Sequence, residues 1–369
     1  MIYLDNAATT LHKPAAVARA MERAVGRLGS PGRGGHKAAL RAAEEAYLCR
    51  EQAARQFGVE SPDRVVFCMN ATHALNLAIK SLARPGDPVV ISGYEHNAVL
   101  RPLTALGAQL RVAASPLFDQ AGAVAAFREQ LRPEVRLAVV NHVSNVFGFV
   151  LPVAEIAALC RQRGVPLIVD ASQSAGVCPV DQGAWGAAFV AMPGHKGLYG
   201  PQGTGLLLCG ADAKPLMEGG SGSESASRQM PAYLPDRLEA GTHNMPGIAG
   251  LHEGLRFVEA LGPAKILDRE RALCRLAVSL LQKNPRLRLY AAKDPAAQTG
   301  VLALQVRDLD CELAAARLSE RGIALRAGLH CAPLAHETAG TETGAVRISF
   351  SVFNTEREVR RLAQTLENL

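Results

Sequence analysis

The chain has 369 residues, 48% of them hydrophobic and 20% charged, which allows a sizeable core and excludes disorder as the main state. Its 40 Lys and Arg against 34 Asp and Glu give a net charge of +6, and only 5% of residues are aromatic. So mild a charge with so few rings offers no stacking surface for nucleic acid, and no nucleic-acid partner is expected. No run approaches the roughly 20 apolar residues of a spanning helix, so no membrane partner is expected either. The opening Met1-Ile2-Tyr3-Leu4-Asp5-Asn6 reads as strand and turn rather than a secretion signal, which points to the cytoplasm. Eight cysteines are scattered without Cys-x-x-Cys spacing; this argues against a disulfide framework or a zinc site, and most are expected as small buried hydrophobes. No metal is expected.

Helical spacing predicts a helix over 38–57. Short β-branched runs then alternate with helical stretches. Strands are expected at Arg64-Val65-Val66-Phe67-Cys68, 88–92, 136–140, 166–170, 187–191 and 205–209, with helices from Asn70 to about Leu82 and over 153–163. Near-continuous apolar strands imply a largely parallel sheet covered by helices on both faces, an α/β domain. The stretch Gly219-Gly220-Ser221-Gly222-Ser223-Glu224-Ser225 reads as an irregular loop, mobile or in contact with a partner. Beyond it, helices over 246–260 and 264–283 precede strands near 301–306 and 346–350, a smaller α+β domain. No internal repeat is evident.

Only eight of the 40 basic residues are lysines, so a functional lysine is easy to seek. Lys196 lies in Pro193-Gly194-His195-Lys196-Gly197, directly after an apolar strand and inside a glycine-rich turn. It is either a surface lysine on a connection or an amine at a sheet edge, desolvated enough to form a Schiff base. Asp170 ends the apolar run 165–169, where an acid faces the crevice in which α/β sheets bind ligands; the alternative is a helix N-cap. Together they match what pyridoxal phosphate requires: an acid to keep the pyridine nitrogen protonated and an amine for its aldehyde. Asn70-Ala71-Thr72-His73 sits at a strand-to-helix junction, where free N–H groups attract a phosphate. His96, just after another strand, suits stacking on a flat ring or capping a helix.

Several motifs in order now resemble a known family, the class V aminotransferase group of pyridoxal-phosphate enzymes. The chain is most similar to its cysteine desulfurases and selenocysteine lyases that act with Suf-type sulfur systems. The resemblance rests on Tyr3-Leu4-Asp5-Asn6-Ala7-Ala8, Glu95-His96-Asn97-Ala98, Asn141-His142-Val143-Ser144-Asn145, Val169-Asp170-Ala171-Ser172-Gln173, Gly194-His195-Lys196, Leu238-Glu239-Ala240-Gly241-Thr242 and Arg326-Ala327-Gly328-Leu329-His330-Cys331-Ala332. It implies a type I fold of pyridoxal-phosphate-dependent transferases, with a largely parallel seven-stranded sheet and a smaller α+β C-terminal domain. The expected division is residues 14–244 for the large cofactor-binding domain, and 1–13 with 245–369 for the small one.

By the same resemblance Lys196 is the Schiff-base lysine, Asp170 the partner of the ring nitrogen, Gln173 the neighbour of the ring hydroxyl and His96 the stacking imidazole. Ala71, Thr72, His195 and, from a neighbouring subunit, Thr242 take phosphate-binding positions. Asn145 and Arg347 hold the substrate carboxylate, a task that suits a guanidinium fork. Cys331 is the nucleophile, which favours desulfuration of L-cysteine to L-alanine over transamination. The alternatives are a selenocysteine lyase acting on L-selenocysteine, another class V lyase, or a cofactor-free scaffold. A homodimer, a sulfur-acceptor protein and a place in iron–sulfur cluster assembly are also implied. Three positions depart from the family pattern: Pro193 replaces a Ser or Thr and can donate no hydrogen bond, Ala71 replaces a Thr, leaving the anion site more dependent on backbone donors, and His73 replaces an acid.

Overall fold

Five of the apolar runs read as strands, those near 88–92, 136–140, 166–170, 187–191 and 205–209, form the middle of one sheet, since a strand covered on both faces has no polar side to show, and the run at 64–68 forms its edge. The computed structural model describes residues 1–32 and 34–369. After β1 (Ile2–Tyr3), α1 (Ala15–Arg27) and α2 (Lys37–Gln56), strand and helix alternate. They are β2 (Val65–Cys68), α3 (Ala71–Leu82), β3 (Pro88–Ser92), α4 (Asn97–Ala105), β4 (Gln109–Ala113), α5 (Gln120–Gln130), β5 (Leu137–Asn141) and α6 (Val153–Arg163). There follow β6 (Leu167–Asp170), the one-turn α7 (Gln182–Trp185), β7 (Phe189–Pro193) and β8 (Gly205–Cys209).

The strands lie in the order β2-β8-β7-β6-β5-β3-β4, and every neighbouring pair is parallel except those made by β8. This is the expected α/β fold with a largely parallel seven-stranded sheet. Side chains alternate between its faces, as strand geometry demands. Val140, Val169, Val190 and Leu208 join one core, and Val139, Ile168, Phe189 and Leu207 the other. Each such side chain, fully buried, contributes about 1.5–3 kcal/mol. Asn141, Asp170 and Ala191 are paired across β5, β6 and β7, so their C-terminal ends form one level edge.

The later chain supplies α8 (Met245–Leu261), α9 (Pro263–Leu281), β9 (Leu287–Tyr290), β10 (Val301–Val306), α10 (Cys311–Glu320), β11 (Ile323–Ala324), β12 (Arg326–Gly328), α11 (Pro333–Ala339), β13 (Ala345–Ser349) and α12 (Glu356–Glu367). An antiparallel sheet, β12-β13-β10-β9, packs its apolar side into a third core with α9, α10 and α12. β1 pairs with β11, and Leu4 enters that third core, so the N-terminus is held by the C-terminal part of the chain. Residue 245, the boundary expected from sequence, opens α8, whose Met245, Ile248, Leu251 and Leu255 pack into the first core. The 219–225 stretch carries no helix or strand. Among the described residues no helix is long and apolar enough to cross a membrane.

Candidate active site

The level edge of β5, β6 and β7 opens into a cleft with about 510 Å³ of empty space, lined by Ala71, Thr72, His96, Asn145, Asp170, Gln173, His195 and Lys196 among others. Eight of the residues singled out in sequence therefore meet in one place. Thr242, Arg347 and Cys331 do not line it. Thr242 is exposed in the loop before α8, whereas Arg347 and Cys331 adjoin the cleft from the small sheet.

Asp170 ends β6, and its Oδ1 accepts the Ser172 N–H at 2.9 Å. Lys196 follows β7 through a turn that only glycine fits: a Cβ on Gly194 would lie 2.1 Å from Thr204 Oγ1, and one on Gly197 2.4 Å from the Ala175 carbonyl. Desolvation lowers the Lys196 pKa to about 8, helped by Arg347 and Arg326 and opposed by Asp170 and Asp5. The neutral amine is thus accessible near physiological pH. The preceding carbonyl, of His195, accepts from Thr10 N (3.1 Å), Thr9 Oγ1 (3.2 Å), Thr10 Oγ1 (3.1 Å) and Lys13 Nζ (2.8 Å), so the N-terminal segment clamps the lysine turn.

His96 does both things its position suggested. Its Nδ1 accepts the Ala98 N–H at 3.0 Å as the N-cap of α4, which leaves the proton on Nε2. Its ring also lines the cleft. Burial, more than nearby cations, lowers its pKa and keeps it neutral. His195 is held to about 4 by burial, with Lys196 and Lys13 adding to the effect, and its buried Nδ1 has no partner. At the other end of the cleft Asn70 caps α3 by accepting the His73 N–H at 2.9 Å. The Ala71 and Thr72 N–H groups stand at the free end of that helix. His73 Nδ1 accepts from Met69 N–H at 3.3 Å, so this departure from the family pattern serves the local backbone.

The small sheet delivers the remaining residues. Arg347 on β13 is 2% exposed; its Nη1 donates to the Asn145 carbonyl at 3.0 Å and its Nη2 to Asp5 Oδ1 at 2.7 Å, while Nε has no partner. Asn145 Nδ2 donates to the His330 carbonyl at 2.8 Å, leaving Oδ1 buried and unpartnered. The Cys331 carbonyl accepts the Asn97 N–H at 2.8 Å, a donor at the start of α4 that has no partner within its own helix. His330 and Cys331 both adopt left-handed backbone, φ 52° and 55°. That conformation costs about 1–3 kcal/mol per residue, and the two carbonyl bonds hold it in place. Seven cysteines are buried and Cys331 is exposed. Asp5 was present in the quoted motifs without a role; a charged residue directly after an apolar strand was the signal available.

A flat aromatic phosphate ester fits this donor set. A carboxylate and an amine share the cleft with an imidazole, a helix N-terminus and the orphaned His195 Nδ1. The profile of the class V aminotransferases, Aminotransferase class-V, matches residues 2–362. The chain belongs to that family. Pyridoxal phosphate is the family's cofactor. This class V chain is 34% identical to a probable cysteine desulfurase of Methanothermobacter thermautotrophicus, over 100% of its own length and 94% of the relative's. It is also 34% identical to a cysteine desulfurase of Salmonella agona, over 100% and 93%. Among solved structures, an apo cysteine desulfurase from Thermococcus onnurineus NA1 superposes with a TM-score of 0.91 at 29% identity, covering 100% of this chain and 94% of that one. The cysteine desulfurase CsdA from Escherichia coli gives 0.86 at 28%, covering 99% and 94%.

Proposed function

We propose that the protein is a pyridoxal-phosphate-dependent cysteine desulfurase that converts L-cysteine to L-alanine and holds the sulfur as a persulfide on Cys331. The observation that carries this reading is Cys331 itself: the exposed cysteine of the chain, on a turn pinned by Asn145 and by Asn97 at the start of α4. Relatives named cysteine desulfurase over the full length support it.

In this reading Lys196, Asp170, Gln173, His96, His195, Thr72 and the Ala71 backbone hold the cofactor, joined by Thr242 from the second subunit of a homodimer. When bound, the cofactor supplies an aldehyde for the substrate amine and an electron-withdrawing ring that acidifies the α-carbon. Asp170 keeps a proton on the ring nitrogen. Arg347 Nε and Asn145 hold the substrate carboxylate. The neutral Lys196 amine takes the α-proton, and His96, with its proton on Nε2, serves the substrate thiol. The Cys331 thiolate attacks the substrate sulfur; the S–S bond forms as Cβ–Sγ breaks, the electron pair left on Cβ takes up a proton, and Lys196 returns the α-proton to Cα, so that alanine leaves.

We also propose that an acceptor protein collects the persulfide for iron–sulfur cluster assembly, in the cytoplasm. A selenocysteine lyase is the second reading. The test is mass spectrometry of the cofactor-loaded enzyme after L-cysteine without reductant. One added sulfur atom on the Cys331 peptide is expected, and alanine production with that peptide unmodified would overturn the role of Cys331.

A further inference from the structure

Asp5 faces two guanidinium groups at once. Its Oδ1 lies 2.7 Å from Arg347 Nη2 and its Oδ2 3.4 Å from Arg326 Nε. Arg326 and Arg347 are paired across β12 and β13, so their side chains stand next to each other on one sheet face. Two like charges so placed repel, and one carboxylate offsets only one of them. The cluster therefore keeps one uncompensated positive charge. It also keeps one uncompensated donor, because Arg347 Nε–H is buried without a partner. An amino-acid carboxylate satisfies both. Asp5 is itself fixed: its backbone bridges to Ser349 on the end of β13, and its carbonyl accepts from Tyr3 Oη at 3.2 Å.

We propose that Asp5 sets the affinity of the site for amino-acid carboxylates, holding Arg347 in place while cancelling one of the two positive charges beside it. This rests on the reading of Arg347 as the carboxylate residue of a desulfurase. Asp5 is a positioning residue, since it acts through Arg347. Arg326 is its counterweight, and because β12 leads into Leu329-His330-Cys331, the cluster ties the substrate carboxylate to the base of the nucleophile loop. Lys196, His330 and Tyr3 all sense the pair: both guanidiniums act to lower all three pKa values, and Asp5 opposes them at Lys196 and Tyr3.

The consequence is a pair of opposite effects that simple loss of structure does not produce. Asp5→Asn keeps the shape and one acceptor for Arg347 but removes the negative charge, so L-alanine should bind about tenfold tighter. Arg326→Gln removes a positive charge, and because that side chain is half exposed and screened, L-alanine should bind only about threefold more weakly. Arg326→Lys should keep wild-type affinity.

The experiment is calorimetric titration of L-alanine into the cofactor-loaded full chain and the three variants, with sulfide release from L-cysteine measured on the same samples. Opposite shifts with rescue by lysine support the proposal. Shifts in one direction, or none, overturn it, and wild-type sulfide release would then leave the desulfurase reading standing. Opposite shifts in a wild type that releases no sulfide would support the cluster and overturn the desulfurase reading. Should Asp5→Asn not fold, Arg326→Gln against Arg326→Lys decides: equal weakening by both overturns the proposal.

Discussion

Lys196 and Asp170 stand at the ends of strands buried on both faces, whereas Arg347 and Cys331 adjoin the same cleft from a four-stranded antiparallel sheet and the loop that follows β12, bonded to Asn145 and Asn97. The floor is held mainly by register and packing: β5, β6 and β7 align it, glycine packing at 194 and 197 shapes the lysine turn, and the N-terminal segment clamps that turn at the His195 carbonyl. The roof is held by bonds between distant parts of the chain, Asn145 to His330, Asn97 to Cys331 and Asp5 to Arg347. In the proposed reaction, floor residues govern whether the cofactor chemistry runs at all, and roof residues govern how substrate and nucleophile are presented.

Replacing the floor lysine makes the sharpest break in that comparison. Lys196→Ala should lower turnover by about 10⁴-fold or more, since in the proposed reaction one side chain serves as both anchor and base; alanine formation from L-cysteine measures it. At the roof, Cys331→Ala should lower sulfide release from L-cysteine by about 10²-fold or more while the visible absorbance of the bound cofactor stays. Activity of that variant on L-selenocysteine, whose leaving group departs more readily, would favour the lyase reading. Asn145→Ala should act less: loss of a buried hydrogen bond to the nucleophile loop costs about 1–3 kcal/mol and should raise KM for L-cysteine roughly tenfold or more, with cofactor retention unchanged.

Outside the cleft, Glu270 gives the smallest effect on activity and a clear one on stability. It is buried, and desolvation raises its pKa from 4.5 to about 8. The folded state holds this proton more tightly than the unfolded chain, so the associated stability is present below pH 4.5 and is lost as pH rises to about 8. Wild-type stability should fall across that window by up to about 1.4 kcal/mol per pH unit from this group, and Glu270→Gln should remove that slope. Chemical denaturation at several pH values measures it; equal slopes in both proteins would contradict the burial argument.

The floor was the legible part of the sequence. Val165 to Asp170 is an apolar run ending in an acid, and Lys196 is a rare lysine in a glycine-rich turn, so pattern and chemistry coincide within a few residues. The helix over 153–163 and the strand over 301–306 fall where the pattern predicts them. β4 and β9 were not legible, because both are edge strands with mostly exposed or half-buried residues and no continuous apolar run. β12 is three residues long and ends in glycine. The roof was legible only through family resemblance: nothing local in Asn145 announces a bond to a carbonyl 185 positions away, and nothing local in Asp5 announces Arg347. His96 shows the middle case, since a capping histidine and a cleft histidine turned out to be one residue.

In the proposed reaction the Cys331 thiol takes sulfur from L-cysteine over a cofactor held by Lys196 and Asp170. The most direct test of that transfer is to supply the cofactor-loaded protein with L-cysteine and a reductant and to count alanine and sulfide in one tube, beside Cys331→Ala. Equal amounts of the two products from the wild type, with both lost in the variant, are the expected result. Alanine and sulfide at full rate from Cys331→Ala, or neither from a wild type with its cofactor absorbance intact, would contradict the account.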